Sequence, residues 1–524
     1  MTPLFATGWF FCTLPLLWGG GDETDFLKIT IHVQGTLLSH EFVDIDGDDK
    51  LDLILAIRSP EDGKRTLQIH KLDDHGVYGD KPDTVVNVLD DVVVWGVADV
   101  RADPGKELLF LTRTGAWSFS PLTTNYKDNI RRLARVDLIF DIPSPDIFPF
   151  WRFVIPGPAG QDLVFLPSLS AISLWGPRDN TDASDGDYNL WADFDKSNSQ
   201  KTHVLDTGAR VSLASTELNL RGSHEWDEAF VNDDFTLFSS LLASEIDYRA
   251  PALVDVNGDG LNDLLLYADS SIHVHLATER GVSEVPSRIE AMPDYLRREG
   301  DRKLRLADLD GDGDMDLLAS LTEEDTGLSS AVTRYFILLN DGKVLFPEKP
   351  QQTLKLEAHH LLEDVADMNG DGRPDLVITK YALPGLANLL RGLELTRSTL
   401  LFLAEEKRPF ATKATLLDEQ TFDIDSLEDA IVRRTIRYDL SGDHVVDLVE
   451  ADLNGHAVVR RIRLESSFFS GDSWELEQRP WQLFNMPGTI VDLEVIDANN
   501  DGRGDLVSQV SDRIELRLST VQHP

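Results

Sequence analysis

Short apolar runs bounded by turn residues follow one another along nearly the whole chain, and their lengths are those of strands. Leu27-Lys-Ile29-Thr-Ile31-His-Val33 alternates cleanly, as a half-buried strand does. Elsewhere a short apolar run enters a polar loop (Phe42-Val43, Leu253-Val254, Val495-Ile496) and a slightly longer one leaves it (Leu53-Ile54-Leu55, Leu264-Leu265-Leu266). A turn and a further strand come next, as in Leu67-Gln-Ile69 after Asp62-Gly63, or Ile272-His-Val274-His-Leu276 after Asp269-Ser270-Ser271. Helical character is scarce and is best developed over Asp294-Tyr-Leu-Arg-Arg-Glu-Gly300. The pattern predicts an all-β fold.

A polar loop phases these strands. Its fuller copies are Asp44-Ile-Asp46-Gly-Asp48-Asp49-Lys-Leu-Asp52, Asp255-Val-Asn257-Gly-Asp259-Gly-Leu-Asn-Asp263, Asp308-Leu-Asp310-Gly-Asp312-Gly-Asp-Met-Asp316, Asp367-Met-Asn369-Gly-Asp371-Gly-Arg-Pro-Asp375 and Asp497-Ala-Asn499-Asn-Asp501-Gly-Arg-Gly-Asp505. Asp439-Leu-Ser441-Gly-Asp443-His-Val-Val-Asp447 is eroded, and Asp99-Val-Arg101-Ala-Asp103-Pro-Gly-Lys-Glu107 more so. A shadow remains at Val154-Ile-Pro-Gly-Pro-Ala-Gly-Gln-Asp162, followed by Leu163-Val164-Phe165. The starts at 44, 99, 154, 255, 308, 367, 439 and 497 are 55, 55, 101, 53, 59, 72 and 58 residues apart, a period near 55. The long step contains the polar, acidic stretch 177–201, read as an exposed excursion within an insertion reaching about 234, and 403–430 is a second insertion.

Four short strands to a period predict a single β-propeller of four-stranded blades. Eight copies give eight blades, or seven if the Val154 unit is not a true blade. The last unit ends at Arg513-Ile514-Glu-Leu516-Arg-Leu518, one outer strand short, so the N-terminal strand is expected to complete it and close the ring.

In each loop, side-chain oxygens stand at positions 1, 3, 5 and 9 with glycines between them. That is the chemistry of a hard cation: calcium takes roughly six to eight oxygen ligands, and alternate loop residues converge on one ion only where the backbone can fold back sharply. The candidate ligands are Asp44, Asp46, Asp48 and Asp52; Asp255, Asn257, Asp259 and Asp263; Asp308, Asp310, Asp312 and Asp316; Asp367, Asn369, Asp371 and Asp375; Asp497, Asn499, Asp501 and Asp505; and, as a weaker sixth site, Asp439, Ser441, Asp443 and Asp447. The competing reading is a set of Asx turns needing no ion, but clustered acidic oxygens are costly without a cation.

These loops, repeated at blade spacing over residues 40 to about 518, resemble the FG-GAP/VCBS repeats, the calcium-loop propeller repeats also found in integrin alpha subunits. The resemblance implies a propeller with calcium between the first two strands of a blade, usually in secreted or surface proteins, and it implies no one activity. It also implies that position 7 offers its backbone carbonyl, leaving Asp314 to point to solvent. Asp49 and His444 stand where a left-handed glycine is favoured. Arg101 is expected to sit beside Asp99, Asp103 and Glu107 as a fixed internal cation, and the Val154 copy, without ligands, to be metal-free.

Composition narrows the partners. With 91 acidic against 49 basic residues the formal net charge is −42, which repels phosphate backbones, so nucleic acid is excluded as a partner. Bound cations would cancel part of that charge. The one cysteine, Cys12, lies in an apolar run over residues 4–18 that ends in Gly19-Gly20-Gly21. Residues 1–21 therefore read as a leader, although no basic residue precedes the run and Pro15 interrupts it, and the expected location is secreted, periplasmic or cell-surface. No later run approaches the roughly 18 apolar residues of a membrane span.

Other motifs are thinner. Arg503-Gly504-Asp505 spells an integrin-type adhesive tripeptide, but Asp505 is already a loop ligand. His273 and His275 share a strand face without an evident third ligand and read as outward strand histidines; His359-His360 is weaker still. His224-Glu225-Trp226-Asp227 has acid/base or sugar-stacking ingredients, and Trp175 and Trp191 flank the excursion, where packing between blades competes with a ligand platform. No nucleophile elbow, phosphate loop or zinc motif is present. The expected role is a monomeric, non-enzymatic scaffold binding protein or glycan; the rivals are a polysaccharide lyase or hydrolase working at the central channel, and a lectin-like module.

Overall fold

The computed structural model describes residues 26–195 and 250–520 apart from short interior stretches, the longest being 122–128, 177–188, 324–330, 383–393 and 424–432. Every regular element in it is a strand, and among the described residues no helix is long and apolar enough to cross a membrane. The Asp294–Gly300 stretch makes turns rather than a helix, with Leu296 N bonded to Pro293 O at 3.0 Å. At so short a length the helix has too few bonds to repay nucleation.

The strands form antiparallel meanders in chain order. In the first, Thr36–Val43 pairs with Asp52–Arg58, which pairs with Arg65–His70, which pairs with Thr84–Asn87. Six further four-stranded sheets begin at Val154–Ile155, Ala250–Val254, Asp301–Ala307, His360–Ala366, Arg433–Ile436 and Ile490–Ile496. These seven sheets are blades of a β-propeller. The expectation of eight regular four-stranded blades is not met as stated, because the sheet of Val92–Ala98, Glu107–Thr112, Gly115–Phe119 and Ile130–Ala134 has a fifth strand, Phe150–Trp151, paired parallel to its first. Gly96 permits that close approach: a Cβ there would lie 2.8 Å from Trp151 O. The Val154 unit does form a sheet. Its outer strand is Asn189–Asp195, inside the stretch read as an excursion. Within 403–430, a small hairpin (Ala404–Glu405, Arg408–Phe410) precedes the outer strand Thr415–Asp423.

The core lies between neighbouring blades, which explains why the second strand of a unit carries consecutive apolar residues. On Asp52–Arg58, Leu53, Leu55 and Ile57 pack into one cluster with the last blade, while Ile54 and Ala56 pack into another with Val92, Trp95 and Phe110. Leu448 and Val449 divide in the same way. Side chains alternate across a strand, so a strand flanked by sheets on both faces must be apolar throughout. Blades are also clasped by polar contacts: Gln352 in one sheet donates to Phe410 O at 2.7 Å and accepts from Phe410 N at 2.8 Å in the hairpin of the next.

The expected closure is formed. Phe26–His32 runs antiparallel to Arg513–Ser519 as the outer strand of the last blade, with Ile29 opposite Leu516 and Ile31 opposite Ile514. Across the same seam, Tyr78 donates its hydroxyl to Leu51 O at 2.8 Å and to Ala498 O at 3.0 Å, and His40 Nε2 stands 3.4 Å from Glu494 Oε2. Ile31 is fully buried in the seam cluster. Its truncation, Ile31→Ala, should cost about 2–5 kcal/mol, read as a lower denaturant midpoint with an unchanged slope.

Candidate metal centres

Each loop is shaped by its first acid bonding back to the backbone. Asp367 Oδ1 accepts from Gly370 N at 2.8 Å and Asp371 N at 3.1 Å, and its Oδ2 accepts from Gly372 N at 2.8 Å. Asp371 Oδ1 then accepts from Arg373 N at 3.0 Å. Asp44, Asp255, Asp308, Asp439 and Asp497 hold their loops by bonds of the same kind. The bend requires left-handed backbone at positions 4 and 6, supplied by Gly370 (φ 72°) and Gly372 (φ 84°). Where glycine is missing, Asp49, His444 and Asn500 take the same conformation at φ 64°, 67° and 61°. Asn and Asp tolerate it better than most residues.

The ninth-position acid does something different. Asp316 is buried, its Oδ2 accepting from Leu309 N at 2.7 Å and its Oδ1 from Asn340 N at 2.7 Å, just past the third strand of the blade. Asp52, Asp263, Asp375 and Asp505 repeat the arrangement with Ile45 and Leu72, Val256 and Ala277, Met368 and Ala404, and Ala498 and Ser519. In the eroded loop both contacts to Asp447 Oδ2 come from the loop itself, Leu440 N at 2.9 Å and Ser441 N at 2.7 Å. Reading the chain for ligands misses this pinning role. A signal was present: position 9 stays acidic in copies that have lost their other oxygens.

Burial raises these carboxyls, and the backbone donors offset only part of the rise. Their values reach about 6 at Asp52 and Asp263, about 7 at Asp375, Asp447 and Asp505, and about 8 at Asp316. Neighbouring loop acids add to the effect, as Asp310 and Asp312 do for Asp316. A cation among them would reverse it.

The donor set fits such an ion. Carboxylate oxygens of Asp44, Asp46 and Asp48 lie within 4.8 Å of one another, as do those of Asp308, Asp310 and Asp316. Asp46 Oδ1 is buried without a hydrogen-bond partner. In the Asp255, Asp367 and Asp497 loops an asparagine stands at position 3, and its amide group reaches the position-5 acid at 3.1–3.2 Å. The first loop differs in its cations: Lys71 Nζ is 2.6 Å from Asp46 Oδ2, and Lys50 Nζ is 3.7 Å from Asp48 Oδ2.

The degenerate copies use their residues otherwise. Arg101 is buried and donates to Ser118 Oγ and O and to Asn129 O; Asp103 lies outside the described residues. Glu107 keeps the pin, accepting from Val100 N at 3.1 Å. Asp162 accepts from Asp99 N at 2.7 Å and donates its own N–H to Asp99 O at 2.6 Å, linking two blades.

Other expectations fare unevenly. Asp314 does not simply face solvent: it is half-buried, with Oδ1 against Gly258 of the preceding loop. The Arg503-Gly504-Asp505 tripeptide is not displayed, since Asp505 is buried and Gly504 N bonds Asp439 O at 3.1 Å. His275 is buried rather than outward, with Nδ1 2.8 Å from Ser283 O. Trp175 packs against the largest interblade cluster. The side chains of His359, His360, Trp191 and His224–Asp227 lie outside the described residues.

FG-GAP-like repeats match residues 255–319 and 308–378. Residues 255–378 are therefore similar to FG-GAP-like repeats, in a chain whose sheets are the blades of a β-propeller. Among solved structures it is similar to an Agrocybe aegerita lectin described as recognising non-reducing terminal N-acetylglucosamine, at 14% identity over 83% of this chain and 90% of that one, TM-score 0.36. It is also similar to BBS1N, solved in complex with ARL6DN, at 8% identity over 95% and 98% of the two chains, TM-score 0.35. No curated protein matches significantly.

The pH dependence of the cation-free protein follows from the ninth-position acids. Their folded values lie above the ordinary carboxylate range, so folding takes up protons between about pH 4 and pH 8 and stability falls as pH rises through that window. In chelator, the melting temperature should decline from about pH 5 to pH 8, and Asp316→Asn should flatten the decline.

Proposed function

We propose that this chain is a calcium-binding propeller serving as a binding scaffold for protein or glycan, secreted, periplasmic or held at the cell surface. The observation that supports it is the repeated oxygen-rich loop, folded in one conformation at six places and carrying raised carboxyls at its ninth position. In each loop the acids at positions 1, 3, 5 and 9, or their Asn and Ser replacements, would hold the ion, which supplies charge neutralisation rather than reaction chemistry. Asp46 would share its carboxylate with Lys71, and Ser441 lowers the charge of the Asp439 loop, so both sites would be weaker than the Asp308 site.

We take the five-stranded sheet as an eighth blade. Its four antiparallel strands repeat the meander of the others, and Phe150–Trp151 only adds to the edge of the first.

A ligand that binds only the folded state stabilises it by RT ln(1 + [L]/Kd), about 2.7 kcal/mol per site at a hundredfold excess over Kd. Calcium should therefore raise the melting temperature and EDTA reverse it; an unchanged midpoint would defeat the calcium reading. Glycan-array and pull-down screens of the calcium-loaded protein test the scaffold reading, which fails if no specific partner is retained that calcium-free protein loses.

A further inference from the structure

The loops touch one another head to tail, always in the same sense. A Cβ at Gly258, the fourth position of its loop, would lie 2.8 Å from Asp314 Oδ1, the seventh position of the next. At Gly311 it would lie 3.4 Å from Arg373 Cγ and Gly372 O, at Gly370 2.9 Å from His444 O, and at Gly442 2.3 Å from Arg503 Nη2. The order continues across the seam, where Asn500 Nδ2 donates to Asp49 O at 3.0 Å and Gly47 faces Gly105 at 3.9 Å. Each fourth position is thus the seat for the sixth or seventh position of the following loop, from the Asp255 loop round to the Asp99 loop. At Gly258, Gly370 and Gly442 glycine serves twice over, for the left-handed bend and for the missing side chain, whereas Asn500 holds the same place by bonding the following loop.

Charge is not what the seats have in common. A carboxylate occupies one, a guanidinium another, an arginine methylene beside a carbonyl a third, and a backbone carbonyl alone a fourth. What they share is geometry. The seated segment is also the part of its own loop that the metal-binding acids govern, because Asp312, Asp371 and Asp501 each accept the N–H of the seventh position.

We infer that the cation loops are coupled in series around the ring, so that a divalent cation bound in one loop raises the affinity of the loops on either side. The inference rests on the calcium reading above. An ion that orders positions 5 to 7 of one loop also orders the seat of its neighbour, which then has less conformational freedom to lose when it binds. Linkage makes the effect mutual.

The test is a calcium titration of the full chain, followed by hydrogen exchange at each loop, for the wild type and for Asp367→Asn combined with Asp371→Asn. Emptying the middle loop should raise the calcium midpoints of protection at 308–316 and 439–447 at least about fivefold, leaving the remote loop 44–52 unchanged. Calcium-dependent protection with unshifted neighbours would overturn the coupling and leave the calcium reading standing; no calcium-dependent protection anywhere in the wild type would overturn both. Arg503→Ala gives a second arm should the double variant fold poorly. It keeps every acid of its own loop, and on charge alone would tighten the Asp439 loop. Coupling predicts weaker binding there, and tighter binding would overturn it.

Discussion

Two backbone N–H groups, one from the loop and one from the end of the third strand or just past it, meet on the buried carboxylate at the ninth position of each full repeat. Buried amides without acceptors would cost on the order of 1–3 kcal/mol each. The acid therefore joins three segments of a blade at one point. Its persistence where cation chemistry has lapsed follows. Glu107 still takes the N–H of Val100 in a loop whose third position has become arginine, and Asp162 turns its carboxylate to the neighbouring blade.

That arrangement has an electrostatic cost. Carboxyls at Asp316, Asp375, Asp447 and Asp505 are driven up by burial, and the surrounding acids push in the same direction. Part of the formal charge of −42 is thus concentrated at loop corners that divalent ions would neutralise. In the first loop Lys71 and Lys50 already supply positive charge beside Asp46 and Asp48.

Much of the architecture was legible because the repeat and the strand period reinforce each other. The recurring acids mark every blade corner, and the short apolar runs mark the strands, so the propeller and its closure by Phe26–His32 follow from the pattern alone. The failures have physical causes. Asn189–Asp195 was hidden by its acidic surroundings, and Phe150–Trp151 is too short to announce a parallel pairing made possible by Gly96. Contacts between loops were out of reach, since Asp314 reads as a solvent-facing side chain until the preceding blade places Gly258 against it. His275 looks like half of an exposed pair until the turn carrying Ser283 folds over its ring.

The closing strand also sets an order of events. Phe26 pairs with Ser519, a separation of 519 − 26 = 493 residues, so the closing strand waits for a partner made long after it. Chains emerge from the ribosome N-terminus first, and during synthesis the edge that Phe26–His32 will cover does not yet exist. Every other blade can complete itself from contiguous sequence as it appears. The last cannot, and the ring stays an open arc until Arg513–Ser519 has been made. Such long-range pairing is entropically the slowest to make. A chain that stops short of Arg513–Ser519 therefore cannot make this closure.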